Sequence, residues 1–502
     1  MIPMVSIKLN PAELTALRQV DERLMSYNVE MTEVTGGTFW KAYTPGQIDG
    51  TEVFPPIRSV EEMANLMQWY DPIDTTNPRL IKLAKEFGPV WIRVSGTWAT
   101  KTYYDFDGKG MPEGYQSAMT RMQWENMIRF VDTVGGKLLI SMANCEGLHH
   151  AEEPWNPSEA EKIFALSVEL GHPIDAVEFT NEPNILQTTG FPVNYTAEHF
   201  RRDQDLFHKW VRENYPNTMI VGPCTIDAMN GGGDEGGMST AGVGAAFGVT
   251  LSTDELLEGC TEKLDVFSYH YYNGISERLA SVMPQMHWQP DQTLSEAYLA
   301  MAGKCARFAA VSRDKHVPGG QMWVTESGDA GGGGNTWGST FMDVFRTLNE
   351  LGEFASVTDG VIFHNTLASS DYGFLKHGTF EPRPNYFAAL LWNRLMGKTV
   401  YASGEALREG AHVFAHSRKD GKDGVVYLVI NNSKTDATSV ELPADATVYT
   451  LTGRDGLRSR VMQLNGRDLV LGENDDLPCL CGAEVKAGTI ELPAASCSFI
   501  VL

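Results

Sequence analysis

Ala176-Val177-Glu178-Phe179-Thr180-Asn181-Glu182-Pro183-Asn184 is a short, largely apolar run that ends on a carboxylate and a proline. Its β-branched and aromatic residues suit a strand buried on both faces. Proline cannot donate to a ladder, so the strand stops there and lifts Glu182 to its C-terminal end. Downstream, Gln321-Met322-Trp323-Val324-Thr325 repeats the pattern and runs into Glu326, then Ser327-Gly328. Two glutamates at two strand ends suit the hydrolysis of a glycosidic bond. One carboxyl must hold a proton for the leaving oxygen, and the other must stay ionised. A glutamate before a proline is by itself an ordinary solvated strand end, so the pattern around it has to carry the weight.

Outward from these two runs the chain alternates apolar stretches with helical ones. Strands are expected at 27–31, 90–94, 137–142, 176–179, 219–221, 266–269, 321–325 and 361–363. Helices are expected between them. Ser59-Val60-Glu61-Glu62 reads as a capping box, and Ser158-Glu159-Ala160-Glu161 as a second helix start. Longer helical patterns cover 196–214, 295–312 and 337–351. Eight strands with intervening helices predict an α/β fold, a (β/α)8 TIM barrel.

The alternation stops near Gly397, and short strands with turns follow. One strand is expected at 425–430. Asn465-Gly466 predicts a hairpin between 461–464 and 468–471, and strands at 489–492 and 496–502 close the chain. This is a C-terminal β-sandwich, to which the run 5–9 is a candidate extra strand. The expected division is an N-terminal segment 1–24 that joins the sandwich, a barrel over 25–397 and the sandwich over 398–502. Two glycine-rich loops, 231–237 and 331–334, interrupt the barrel.

Composition narrows the partners. Of 502 residues 42% are hydrophobic and 21% charged, the balance of a soluble globular chain, and no run is long enough to span a membrane. The net charge of −24 repels polyanions such as nucleic acid. Arg201-Arg202 and Arg458-Ser459-Arg460 are too sparse for a basic groove and read as solvated faces. Seven cysteines, an odd number, fit a reducing compartment and read as packing or surface residues. Met1-Ile2-Pro3-Met4-Val5-Ser6-Ile7-Lys8 has no signal-peptide pattern, so a cytoplasmic enzyme is expected, or a secreted one whose signal has been removed.

The residues at the expected strand ends, in order, are Glu33, Thr97, Asn144, Asn181 with Glu182, Cys224, His270 with Tyr272, Glu326, and His364 with Asn365. Nearly all can hydrogen-bond a sugar or move a proton, and in such barrels chemistry collects at this end. Strands four and seven face each other across the mouth, which pairs Glu182 with Glu326.

The chain resembles the heparanase and β-glucuronidase family of retaining glycoside hydrolases, family 79 of clan A. Residues 80–97, which read Leu-Ile-Lys-Leu-Ala-Lys-Glu-Phe-Gly-Pro-Val-Trp-Ile-Arg-Val-Ser-Gly-Thr, look like its second strand. Val221-Gly222-Pro223 looks like its fifth, His270-Tyr271-Tyr272-Asn273-Gly274 like its sixth, and 461–502 like its closing hairpin and final strand. The resemblance implies a barrel with a β-sandwich, Glu182 as general acid/base and Glu326 as nucleophile. It implies that Tyr272 hydrogen-bonds the nucleophile and Asn181 the sugar's 2-hydroxyl, with Glu33, Thr97, Asn144, His270 and Asn365 lining the sugar subsite. It also implies that the backbone N–H groups of Gly332 and Gly333, with Tyr372, bind a uronic acid carboxylate. Gly331 departs from the family, whose members often carry an aromatic residue there. The roughly sixty residues between Glu33 and Trp91 leave no room for the excised linker of the mammalian heparanase precursor, so a single uncut chain is expected.

The expected activity is a retaining exo-β-glucuronidase that needs no metal or cofactor. The alternatives are a heparanase-like endo-acting enzyme, a related hydrolase for another sugar, and a non-catalytic carbohydrate-binding protein. The oligomeric state stays open.

Overall fold

A computed structural model describes residues 5–226 and 250–502. The glycine-rich stretch 231–237 lies outside them. Strands Met25–Glu30, Trp91–Ser95, Lys137–Ser141, Ala176–Glu178, Met219–Thr225, Val266–Tyr272, Gln321–Gly328 and Ile362–His364 close into a barrel in sequence order. Every pairing is parallel, and Ile362 opposite Met25 closes the circle. These are the eight strands expected, and nearly every residue in them is buried because helices cover the outside.

Alternation along the strands layers the barrel interior. Trp91, Leu139, Ala176, Val221, Val266, Trp323, Val361 and Phe363 form one apolar cluster, with the Trp91 and Trp323 rings 4.9 Å apart. Side chains two residues on share the same face of a strand. Arg93 therefore stands above Trp91, Ser141 above Leu139 and Glu178 above Ala176. An apolar plug thus carries a polar layer, and the strand ends carry the next one.

Helix starts follow the sequence in part. Thr196 caps Ala197–Asn214 and Ser295 caps Glu296–His316 through their hydroxyls. Met342–Val357 begins later than expected, because 337–341 turn with the Thr340 hydroxyl on the Trp337 carbonyl at 2.7 Å. The box expected at Ser59 does not form. Val60–Leu66 is a 3₁₀ helix, and the Glu62 carboxylate instead accepts from the Arg58 N–H at 2.9 Å. Ser158 is the first residue of Ser158–Glu169 rather than its cap, and the Asn156 side chain accepts its N–H at 3.2 Å. Between Glu33 and Trp91 lie the antiparallel pair Gly37–Trp40 and Met67–Tyr70 and the helix Pro78–Lys85.

The antiparallel sheet begins at Met396–Ala402, directly after helix Pro384–Leu395. Nine strands form one sheet and three form the other. Ile7, Val413, Tyr427, Val440 and Ile500 belong to the apolar core of this part. The N-terminal run does join it: Ser6–Lys8 lies parallel to Thr438–Leu442. A second N-terminal strand, Thr15–Gln19, pairs with Met396–Ala402 and had no clear sequence signal. Asn465 and Gly466, with φ of 50° and 76°, make the expected hairpin turn between Met462–Leu464 and Arg467–Asp468.

The cysteine reading needs one correction. Cys479 and Cys481 are disulfide-bonded, their Cα atoms 5.5 Å apart and so within bridging reach. The other five are free. No described helix is long and apolar enough to cross a membrane.

Candidate active site

Glu182 and Glu326 meet at the C-terminal mouth of the barrel. One ligand-type atom from each of Glu182, His270 and Glu326 lies within 4.8 Å of the other two, so a carboxylate oxygen of Glu182 is that close to one of Glu326. Retaining glycosidases hold their two carboxyl groups about 5–5.5 Å apart, and inverting ones about 6.5–9.5 Å. Glu182 adopts a left-handed φ of 44°, sparsely populated for a residue with a Cβ. The proline after it and the turn bond from the Ile185 N–H to the Glu182 carbonyl, at 3.2 Å, hold it there.

The two carboxylates have different surroundings. Glu326 is buried. Its Oε1 accepts from Arg93 Nη1 at 3.0 Å and its Oε2 from the Tyr272 hydroxyl at 2.6 Å. Burial by itself would raise its pKa. His270, Arg93 and the Tyr272 hydroxyl oppose that and together hold the carboxyl below its usual range. Tyr272 in turn stays protonated, pushed up first by burial and then by the Glu326 charge. Glu182 is less enclosed and has, among the described residues, one hydrogen-bond partner for its carboxylate, His270 Nδ1, 3.0 Å from its Oε1.

Arg93 organises this centre, and the sequence reading had passed over it. It is buried in the polar layer, its Nε bonded to Glu178 at 2.9 and 3.1 Å and its Nη2 to Asn181 Oδ1 at 2.8 Å. Nη2 also lies 3.4 Å from His270 Nε2. The ring nitrogen turned to the carboxylates is Nδ1, and it carries a hydrogen, since an ionised carboxylate only accepts. Nδ1–H then points between the two glutamates, 3.5 Å from Glu326 Oε2. An arginine offers only N–H groups, so the Asn181 amide turns its oxygen to Arg93 and keeps its NH2 for another acceptor. Glu182, His270 and Glu326 have the geometry of a cation site, but the Arg93 guanidinium already supplies positive charge there.

Asn365 ties the far side together. Its amide donates to Tyr272 Oη at 3.0 Å, to Tyr372 Oη at 3.1 Å and to Glu30 Oε1 at 3.3 Å. Tyr372 accepts that bond, so its own hydroxyl hydrogen is free to donate. Glu30 is a second residue that sequence reasoning missed. It is the carboxyl that ends strand one, and burial, then Glu326 and Glu33, push its pKa well up. Gly96, at φ +92°, leaves space that a Cβ would take from the Glu30 carboxylate.

Two of the expected sugar-lining residues, Glu33 and Asn144, are held by protein partners. Glu33 turns back on the short helix Met31–Thr35, where its Oε2 accepts from the Glu30 N–H at 2.7 Å. Burial pushes its carboxyl up to about 8. Asn144 is fully buried, with its amide groups taken by the Tyr195 hydroxyl at 3.0 Å and His149 Nε2 at 2.6 Å. Thr97 is half-buried at the end of strand two. His270, Tyr272, Asn181 and Asn365 are brought together around Glu326.

The loop after strand seven is held by its carbonyls. Gly332, Gly333 and Gly334 have φ of 90°, 88° and 82°. The Gly332 carbonyl accepts from the Ser276 hydroxyl at 2.9 Å, that of Gly333 from the Asp371 N–H at 3.2 Å, and that of Gly334 from Arg278 Nη1 at 2.7 Å. Arg278 is itself buried against Asp371 at 2.6 Å. Among the described residues the Gly332 and Gly333 N–H groups donate to nothing. Two adjacent amides with fixed carbonyls make a cradle for an anion.

No protein-family model matches the chain. It is similar to heparanase-like protein 1 of Arabidopsis thaliana, 27% identical over 86% of this chain and 85% of that protein. It is also similar to baicalin-β-D-glucuronidase of Scutellaria baicalensis, 23% identical over 85% of this chain and 83% of the other. Among solved structures, a 4-O-α-L-rhamnosyl-β-D-glucuronidase from Fusarium oxysporum 12S superposes with a TM-score of 0.63 over 99% of this chain and 100% of that one, at 13% identity.

Proposed function

We propose that the chain is a glycoside hydrolase of the heparanase and β-glucuronidase kind that acts on glucuronides, and specifically a retaining exo-β-glucuronidase; its similarity to a heparanase-like protein and to baicalin-β-D-glucuronidase supports this. The observation that carries this reading is the approach of Glu182 to Glu326 within 4.8 Å, with only Glu326 clamped by a guanidinium and a phenol.

In the first step a Glu326 oxygen attacks the anomeric carbon as Glu182 gives its proton to the glycosidic oxygen. The bond to the aglycone breaks and a glycosyl ester of Glu326 forms. In the second step the Glu182 carboxylate takes a proton from water, the water oxygen attacks the same carbon, and the ester opens. His270 Nδ1–H holds one oxygen of Glu182 and leaves the other to carry the proton. Arg93 and Tyr272 keep Glu326 ionised before attack and stabilise it again as it leaves. The Asn181 NH2, which donates to no acceptor among the described residues, is the donor this reading assigns to the sugar's 2-hydroxyl.

A terminal glucuronic acid adds a carboxylate, and the Gly332 and Gly333 N–H groups with the Tyr372 hydroxyl are unused donors suited to it. Of the other expected contacts, Thr97 and Asn365 keep a lining role in this reading. Glu33 and Asn144 act one layer behind, through Glu30 and through His149 with Tyr195.

The test is release of phenol from an aryl β-glucuronide beside depolymerisation of a glucuronic-acid polymer. Release from the aryl substrate with retained anomeric configuration is the expected result. Chain cleavage with no release from the aryl substrate would instead establish the endo-acting alternative, and no turnover on any uronide or hexoside would leave a binding protein.

A further inference from the structure

Away from the catalytic glutamates, a cavity of about 680 Å³ opens where the loops after strands one and eight meet the sandwich hairpin. That is the size of a small-molecule site. No residue of the Glu182, His270 and Glu326 cluster lines it. Its wall is amphipathic: Tyr43 and Tyr70 come from the barrel, and Leu469, Val470 and Leu471 from the sandwich. Val470 is half exposed, a large apolar side chain with little protein against it.

Several polar groups on this wall lack partners. The Ser339 and Ser370 hydroxyls are buried and make no hydrogen bond among the described residues. Of the three carboxylates that line it, Asp371 is taken by Arg278 at 2.6 Å and Asp475 by Arg79 Nε at 2.7 Å, while Glu381 forms no ion pair among the described residues. Lys376 and Arg383 form no ion pair among the described residues, although Arg383 Nη1 donates to the Ser370 and Gly373 carbonyls at 2.6 and 3.0 Å. Lys376 and Arg383 outnumber Glu381, the carboxylate of this wall that no cation pairs with among the described residues, and in a chain of net charge −24 that local excess of positive charge favours an anionic occupant. Lys376 and Arg383 stand seven residues apart with Glu381 between them, so the sequence shows no basic run there.

The cavity also shares a wall with the glycine loop. The Tyr43 hydroxyl donates to the Gly334 carbonyl at 3.0 Å, and the Asp371 N–H to that of Gly333 at 3.2 Å. We propose that this cavity is an accessory subsite for an acidic saccharide, a uronate-bearing segment of the glycan on which the enzyme acts. The half-buried Tyr70 and the apolar edges suit the C–H face of a pyranose, the two serine hydroxyls suit its hydroxyl groups, and Lys376 with Arg383 suits a carboxylate. The choice of a uronate-bearing glycan rests on the glucuronidase reading.

The experiment is calorimetry on the Glu326→Gln protein, which cannot turn substrate over, with an unsulfated hyaluronan tetrasaccharide and with cellotetraose as the neutral control. Lys376→Glu reverses a charge on an exposed residue, and Val470→Trp fills the cavity from a half-exposed one, so neither threatens the core. Each is expected to weaken the tetrasaccharide at least five-fold, a larger loss than either causes in kcat/KM for a small aryl β-glucuronide. Unchanged tetrasaccharide affinity in both variants, or no tetrasaccharide binding at all, overturns the proposal. Equal affinity for cellotetraose overturns the acidic class. The glucuronidase reading fails separately, by absence of aryl β-glucuronide turnover in the unmodified chain, and the calorimetry does not depend on that result.

Discussion

Arg93 Nη1 reaches Oε1 of Glu326 over 3.0 Å from inside the barrel, not from its mouth. The charge that keeps the carboxylate ionised is therefore out of the substrate's way. Arg93→Gln removes it and leaves Glu178 and Glu326 buried without their cation. The Glu326 pKa then rises, and because attack needs the ionised form, the acidic limb of the kcat/KM profile moves to higher pH. Breaking a buried pair in this way costs about 3–5 kcal/mol of stability. A pH–rate series and a denaturant titration read the two effects, and an unmoved acidic limb would show that Arg93 does not set the ionisation.

Glu182 and Glu326 are expected to respond differently to the leaving group. A dinitrophenyl glucuronide departs without a proton, so Glu182→Gln should keep much of its first step on that substrate. On a poor leaving group it should lose about 10²–10⁴-fold, the usual contribution of a general acid. Glu326→Gln should lose both. Pre-steady-state release from the two substrates separates them, and equal losses in Glu182→Gln would refute the assignment.

Tyr272→Phe deletes the 2.6 Å bond to Glu326 and leaves an Asn365 N–H without its acceptor. Loss of one such donor lowers kcat by about 10²-fold, with KM little changed, when the bond matters most in the transition state. A fall in kcat/KM that comes wholly from KM would place Tyr272 in ground-state binding instead.

Gly333→Ala puts a Cβ 2.7 Å from Trp40 at a φ of +88°. The loop has to move, and the two free amides move with it. The loss should fall on aryl β-glucuronide, by about tenfold or more, and spare aryl β-glucoside, which has no carboxylate to hold. Equal losses on the two would remove the cradle's role.

Glu33 gives a prediction about stability. Its folded pKa of about 8 lies above the unfolded value of about 4.3. Between those values the folded state binds the extra proton, so stability falls as pH rises, by at most about 1.4 kcal/mol per unit for one group. Glu33→Gln should flatten that fall between pH 5 and pH 8 in a series of denaturant titrations. An unchanged slope would mean that Glu33 is ionised in the fold.

The strands and the two catalytic candidates were legible because each rests on a local signal, an apolar run cut off by a turn residue. Arg93 and Glu178 had a signal too, a charge inside an apolar parallel strand. Its meaning depends on which way the residue faces, and that is set by parity with the Trp91 plug across the barrel. Glu30 and Glu33 show a different failure. Both stand near the end of strand one, and the spacing Glu-x-x-Glu at a helix start is a capping pattern that assigns Glu33 to the backbone. Asn144 could not be placed from its own segment, since the partners that occupy it, His149 and Tyr195, reach it only through the tertiary fold. The accessory cavity was invisible for the same reason.

Ser6–Lys8 and Thr15–Gln19 find their partners in Thr438–Leu442 and Met396–Ala402. During synthesis those two strands emerge before the barrel, and the segments they pair with emerge after it. The barrel can close while its own leading segment still waits, with open edges able to recruit another chain. Expression of the barrel alone would make that wait permanent, so a barrel-only version should also omit the residues ahead of Met25.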